Sequence, residues 1–199
     1  MAKKVLVAYG SRYGSTEEIA RTIAETLQQE GLNTQLLDLK RTKQKEWPRL
    51  ALFDAVLVGS GIKIGRWTGE ATSFLKKHQD ELKTAKAKGL VVGVFVSCGM
   101  ASTPEKRPEA RQTYIEKVVT ELGIKDAVDA YDAFGGVYDL SSSAPMGFLD
   151  KKMLAMGAQQ MIKDGQLIEG ARNDLRDWNQ IRTFAEHFAD LLKGPGKED

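Results

Sequence analysis

The sequence predicts a doubly wound α/β fold, in which helices cover both faces of a parallel sheet. Three observations carry that reading. Strand-length apolar runs alternate with segments of 3.6-residue apolar period along the 199-residue chain. The runs are apolar almost without interruption, as in Val56-Leu57-Val58 and in residues 90–96, which suits strands buried on both faces. The first run ends in a turn of glycine and hydroxyl residues set directly before a helix, and sheets of this kind bind ligands at the carboxyl ends of their strands.

Taken in order, the first strand begins at Val5 and ends at Gly10 and Ser11. Ile19, Ala20, Ile23, Ala24 and Leu27 then mark one face of a helix over residues 17–29, with Ser15 and Glu18 spaced for a capping box. A second strand over 34–39 follows the turn at Gly31, and a third over 55–59 follows Asp54. A fourth spans 90–96 and a fifth lies within 130–137, where Asp132 and the Gly135-Gly136 pair weaken the pattern. Ala71, Phe74, Leu75, His78 and Leu82 form a helical stripe, and Ile115, Val118, Val119 and Leu122 form another. Thr103-Pro104 is spaced as a helix start before the second stripe. The last helix carries Trp178, Ile181, Phe184, Ala185, Phe188 and Leu192 on one face. Residues 1–193 are expected to form one domain, and residues 194–199 a polar, frayed tail.

The turn after the first strand carries the chemistry. A strand-to-helix loop presents free backbone N–H groups and the positive end of the helix dipole, both suited to a phosphate. The hydroxyls of Ser11, Ser15 and Thr16 suit a terminal monoester, whose several oxygens need partners. Neither the Gly-x-Gly-x-x-Gly dinucleotide fingerprint nor a Gly-Lys-Ser/Thr triphosphate loop is present. The pattern Ser11-x-x-Gly14-x-Thr16 resembles the phosphate loop of flavodoxins, which holds the phosphate of FMN. Arg12 and Tyr13 depart from the small or acidic residues more usual there, but backbone amides and hydroxyls do most of the binding.

That resemblance implies a flavodoxin-like five-stranded parallel sheet of order 2-1-3-4-5, with an insertion after strand 5 at residues 138–173. It implies FMN held by three loops. The first is Ser11, Arg12, Tyr13, Gly14, Ser15 and Thr16. The second is Ser60, Gly61, Ile62, Lys63, Ile64 and Gly65, with Trp67 either packed against the isoalloxazine ring or seated on the core at a helix start. The third is Ser97, Cys98, Gly99 and Met100, small residues beside the pyrimidine edge. An aromatic residue that stacks on the ring in many flavodoxins is missing from this third loop, which implies an open flavin face. Lys63, Arg66, Lys106 and Arg107 are either cations near the flavin or solvated helix-start charges.

Composition excludes other classes. With twenty-nine basic and twenty-seven acidic residues the net charge is +2, so neither a nucleic-acid partner nor the acidic docking face of flavodoxin carriers is expected. One cysteine, Cys98, has no Cys-x-x-Cys partner and reads as a packing residue in a reducing, cytoplasmic protein. Met-Ala-Lys-Lys leads directly into the first strand, so no signal peptide is expected. His78 and His187 lack metal-ligand spacing, and no metal site and no protein acid or base is expected.

The second loop, the Glu105-Lys106-Arg107-Pro108 segment, the late insertion and the closing Asp177-Trp178-x-x-Ile181-x-x-Phe184-Ala185 are together similar to the menaquinone-dependent protoporphyrinogen dehydrogenases. This resemblance implies an FMN oxidoreductase that passes electrons from a tetrapyrrole to a quinone. An electron-transfer flavodoxin serving a redox partner protein, and an NAD(P)H:quinone or flavin reductase, are the alternatives. Within the insertion, residues 146–162 hold four of the six methionines, with Leu149, Met153 and Met156 on one face beside Lys151 and Lys152. The segment is either an extra helix on the core or an adaptable apolar surface for a partner, a quinone or a peripheral membrane contact.

Overall fold

The computed structural model describes residues 2–193, so the expected tail at 194–199 lies outside the described residues. Five parallel strands form the sheet: β1 (Lys4–Gly10), β2 (Asn33–Asp38), β3 (Ala55–Lys63), β5 (Val91–Ser97) and β6 (Ala130–Phe134). They run in the order β2-β1-β3-β5-β6, which is the expected 2-1-3-4-5 once the short strand β4 (Arg66–Trp67) is set aside. In-register pairs such as Val7 with Leu57 and Val58 with Val94 align the carboxyl ends of β1, β3 and β5.

Apolar side chains of alternate strand residues pack into two cores, one on each face of the sheet. Leu6, Val56, Val94 and Phe74 lie in one, with α2 (Gly69–Lys77), α3 (Gln79–Lys83) and the helix from α4 (Arg107–Arg111) to α5 (Lys117–Glu121). Val5, Leu57, Phe95 and Phe188 lie in the other, under α1 (Ser15–Gln29) and α7 (Trp178–Lys193). Phe95, Phe134 and Phe188 are fully buried; each buries enough apolar surface to contribute about 2–3 kcal/mol.

Several expectations are corrected. The capping box does not form: Gly14 caps α1 in the left-handed region (φ 94°), and the Glu18 side chain pairs with arginines instead. Strand β3 runs on to Lys63 and turns back into β4 through Ile64 (φ 50°) and Gly65 (φ 70°), so the second loop is a hairpin. The fifth strand stops at Phe134. There the backbone of Leu175 presses on Gly135, whose missing Cβ it would overlap, and the Leu175 N–H donates to the Gly136 carbonyl (3.1 Å). Beyond that break, β7 (Val137–Asp139) leaves the main sheet and pairs antiparallel with β8 (Arg172–Asp174). Thr103-Pro104 leads a 3₁₀ turn rather than the helix, which opens at Arg107 and contains one π turn over Gln112–Glu116.

The insertion folds as α6 (Phe148–Lys163) between β7 and β8. Of its residues only Ala158 is buried; Phe148, Leu149, Met153 and Met156 are exposed. Of the two readings of this segment, the helix seated on the core is not the one that forms. No helix among the described residues is long and apolar enough to cross a membrane.

Candidate functional site

A cleft of about 510 Å³ opens at the carboxyl ends of β1, β3 and β5, within the size range of small-molecule sites. Three loops meet there. From the first come Ser11, Arg12, Tyr13, Ser15 and Thr16; from the second, Gly61, Ile62, Lys63 and Ile64; from the third, Ser97, Cys98 and Gly99. The turn before α1 is closed by the Gly14 N–H donating to Ser11 Oγ (3.1 Å). The first helical bond of α1 comes from Glu18 to the Gly14 carbonyl, so the N–H groups of Ser15, Thr16 and Glu17 precede the intrahelical ladder. Ser15 Oγ lies 3.2 Å from Ser97 Oγ, which ties the first loop to the third. A Cβ on Gly61 would stand 2.9 Å from Thr16 Oγ1, so glycine is what lets the second loop close on the first.

Other expected site residues serve the frame instead of the cleft wall. Ser60 is fully buried; its hydroxyl donates to the Gly61 carbonyl and accepts from the Thr68 N–H at 3.0 Å. Gly14 and Gly65 supply left-handed turns. Met100 packs against the core. Trp67 turns away from the cleft: it is 8% exposed, sits among Phe74, Ile115 and neighbours, and donates from Nε1 to the Tyr114 carbonyl at 2.6 Å. The expectation that Trp67 walls the ring is corrected to the core alternative.

Of the cations expected near the flavin, Lys63 and Arg107 are paired with carboxylates. Lys63 Nζ bonds the Asp150 carboxylate at the start of α6 and lies 3.2 Å from the Tyr13 hydroxyl, which bonds Asp150 as well. Hydrogen bonds from Lys63 and Tyr13 hold the Asp150 carboxyl below its usual range, and the bond to Asp150 raises Lys63. Arg107 pairs with Asp177 at 3.2 Å and so does not enter the cleft. Burial pushes the Cys98 thiol up, which makes it a packing group and a poor nucleophile. His78 is buried against Phe74 and bonds Glu81 through Nδ1 (2.9 Å). Among the described residues no group of three or more His, Cys, Asp or Glu is placed to hold a metal ion.

Two features escape sequence reasoning. The first is Arg176, whose side chain is 1% exposed. It forks onto Asp174 (2.7 and 2.5 Å), reaches Glu18 (2.6 Å) and the Ser15 carbonyl (3.1 Å), and lies over the Trp178 ring at 4.3 Å. Burial disfavours its charge, but bonds to Asp174 and Glu18 win and the guanidinium is held protonated. With Glu18 neutralised by Arg176 and Arg172, and Glu17 by Arg21, the dipole of α1 is left to act on an anion in the loop. The second is the insertion's share of the cleft: Tyr138, Pro145, Met146, Asp150, Met153 and Leu154 form its outer wall.

The hydroxyl loop, the close approach at Gly61 and the cleft volume fit FMN: a monoester at the helix start and a flat apolar body between the second and third loops. The comparisons agree. The chain resembles protoporphyrinogen IX dehydrogenase [quinone] of Escherichia coli (strain K12), 25% identical over 198 residues, covering 96% of this chain and 98% of that one. An NAD(P)H dehydrogenase (quinone) of Nitrobacter winogradskyi is 26% identical over 169 residues, covering 72% and 80%. Among solved structures, rubredoxin oxygen:oxidoreductase of Desulfovibrio gigas shares the fold with a TM-score of 0.56 at 18% identity; the match covers 96% of this chain but only 36% of that longer one. A cysteine-to-serine variant of flavodoxin from Pseudomonas aeruginosa shares it with a TM-score of 0.51 at 20% identity, covering 96% and 99%. The family model described as flavodoxin domain matches residues 6–166. A sheet of this order with a phosphate-suited loop at its switch point, matched over most of its length by that model, makes the chain a member of the flavodoxin-domain family and a flavodoxin-like oxidoreductase with FMN as its cofactor.

Proposed function

We propose that the protein oxidises a reduced tetrapyrrole, protoporphyrinogen IX or a close analogue, and delivers the electrons to a quinone. Bound FMN supplies the two-electron redox chemistry. The chain's residues bind, orient and shield. Ser11, Ser15 and Thr16, with the amides at the start of α1, hold the phosphate; Gly61 to Ile64 and Ser97 to Gly99 flank the flavin. The observation that carries the reading is the cleft's outer wall. The insertion adds apolar Pro145, Met146, Met153 and Leu154 to a site that a small carrier would leave bare. Similarity to the Escherichia coli dehydrogenase, which runs through the insertion, supports it.

The exposed apolar residues Phe148, Leu149, Met153 and Met156 beside Lys151 and Lys152 suit contact with an anionic bilayer surface, where quinones reside. Replacing residues 146–162 with a short Gly/Ser linker is expected to spare FMN binding while lowering quinone and porphyrinogen turnover. Undiminished turnover would refute a role for the segment. The decisive assay is anaerobic oxidation of protoporphyrinogen IX by the purified FMN-loaded protein, with and without a soluble menaquinone analogue. Quinone-dependent formation of fluorescent porphyrin supports the proposal; no reaction in either case overturns it. The similarity to NAD(P)H dehydrogenases (quinone) gives a second reading, tested by NADH or NADPH consumption with the same quinone.

A further inference from the structure

We infer that Tyr138, on the insertion strand β7, is the aromatic wall of the flavin site that the third loop lacks, and that its hydroxyl donates to the bound flavin. The inference rests on the reading that FMN occupies this cleft.

The third loop, Ser97 to Gly99, offers no aromatic side chain, but the chain places one against it from elsewhere. Tyr138 lines the cleft beside Cys98 and Gly99. Its hydroxyl stands where a Cβ of Gly99 would be, so Gly99 is the residue that makes room for the phenol. The phenol is half-buried, and burial followed by the nearby Cys98 thiol raises its pKa; it is protonated, a donor, at neutral pH. Among the described residues none is hydrogen-bonded to that hydroxyl. A half-buried phenol that opens on the cleft with its donor unused is suited to a polar ligand edge.

Its position is built. The Asn173 side chain donates to the Tyr138 carbonyl (3.3 Å), Tyr138 pairs with Asn173 across β7 and β8, and β8 is clamped to the phosphate loop by Arg176. Close contact with an oxidisable phenol quenches flavin fluorescence, because the phenol gives an electron to the excited ring and takes it back. Phenylalanine has the same shape but is too hard to oxidise to do this.

The test uses the full-length protein reconstituted with FMN or with riboflavin. With Tyr138→Phe, bound-flavin emission should rise several-fold while affinity falls by no more than about tenfold. Tyr138→Leu, which also removes the aromatic face, should lower affinity by about 5- to 50-fold. Both losses should be the same factor for FMN and riboflavin, because Tyr138 acts on the ring and not on the phosphate. Trp67→Phe should leave emission unchanged. If Tyr138→Phe, a near-isosteric change that preserves the strand, leaves emission and both affinities at wild-type values, the inference is wrong. If the wild type binds neither flavin, the cofactor reading fails and takes the inference with it; wild-type binding with an unaltered Tyr138→Phe overturns the inference alone.

Discussion

Replacing Arg176 with Met keeps the stem of the side chain and deletes its guanidinium. Losing one partner of a buried ion pair costs about 3–5 kcal/mol, because the other is left buried and uncompensated. Here the cost is lower. Glu18 is 46% and Asp174 28% exposed, so both carboxylates regain water, and Arg172 already lies 3.1 Å from Glu18 and 3.8 Å from Asp174. Loss of the bond to the Ser15 carbonyl and of the stack on Trp178 adds to it. The expected destabilisation is about 2–3 kcal/mol, which at a urea m-value of about 2 kcal/mol/M lowers the midpoint by roughly 1 M. Burial raises the Asp174 carboxyl, but the bonds and charges of Arg176 and Arg172 outweigh it and leave the pKa below the usual value. A depressed carboxylate stabilises the fold above its unfolded pKa (about 3.9), and that share is lost as the pH falls through the folded value. The gap between wild type and variant should therefore be full at pH 7 and narrow in acid. Urea unfolding of the flavin-free proteins across that range is the assay. A midpoint unchanged at pH 7, or a gap that widens in acid, would refute the account of Arg176 as a paired clamp.

Ser11→Ala with Thr16→Ala should weaken FMN binding by about 1–3 kcal/mol and leave riboflavin binding unchanged, as titration of flavin fluorescence would report. Ile64 holds a left-handed conformation (φ 50°) that β-branched residues avoid, and it is 71% exposed, so Ile64→Asn or Ile64→Gly should raise stability by about 0.5–1 kcal/mol in the same unfolding assay. Trp67→Phe removes the indole N–H bond to the Tyr114 carbonyl and should cost about 1 kcal/mol. Asp150→Asn removes the charge that Lys63 holds, and hydrogen exchange at the start of α6 should quicken; the wild type should approach the variant as the pH falls through the lowered pKa of Asp150.

Much of the fold was legible because its signals are local. The Val5 run, the loop at 11–16 and the stripe from Ile19 to Leu27 each follow from neighbouring residues, and the parallel core follows from uninterrupted apolar strands. What escaped was non-local or atypical. Ile-Gly is a poor turn signature, so the hairpin at Ile64 and Gly65 was hidden. Glu18 is spaced for a capping box, but its partner Arg176 lies 158 residues away and an ion pair with a buried guanidinium outcompetes a local cap. The direction of Trp67 depends on its antiparallel pairing with Ile62, which only the folded hairpin fixes. Of the cleft residues, those of the first loop carry a local pattern, and those of the second and third loops are named through the resemblance to flavodoxins. Tyr138 could be named from neither, because it reaches Gly99 only after Gly135 has let the chain leave the sheet.

The Arg176 clamp also makes the insertion and the cofactor loop a linked system. β8 is bonded to the first turn of α1 through Arg172 and Glu18, and its neighbour Arg176 reaches the Ser15 carbonyl, so a ligand at that turn and one on the strand pair carrying Tyr138 bear on the same contacts. Were a ligand on the insertion to order that strand pair further, reciprocity would require it to tighten the hold on FMN by the same factor by which FMN tightens the docking.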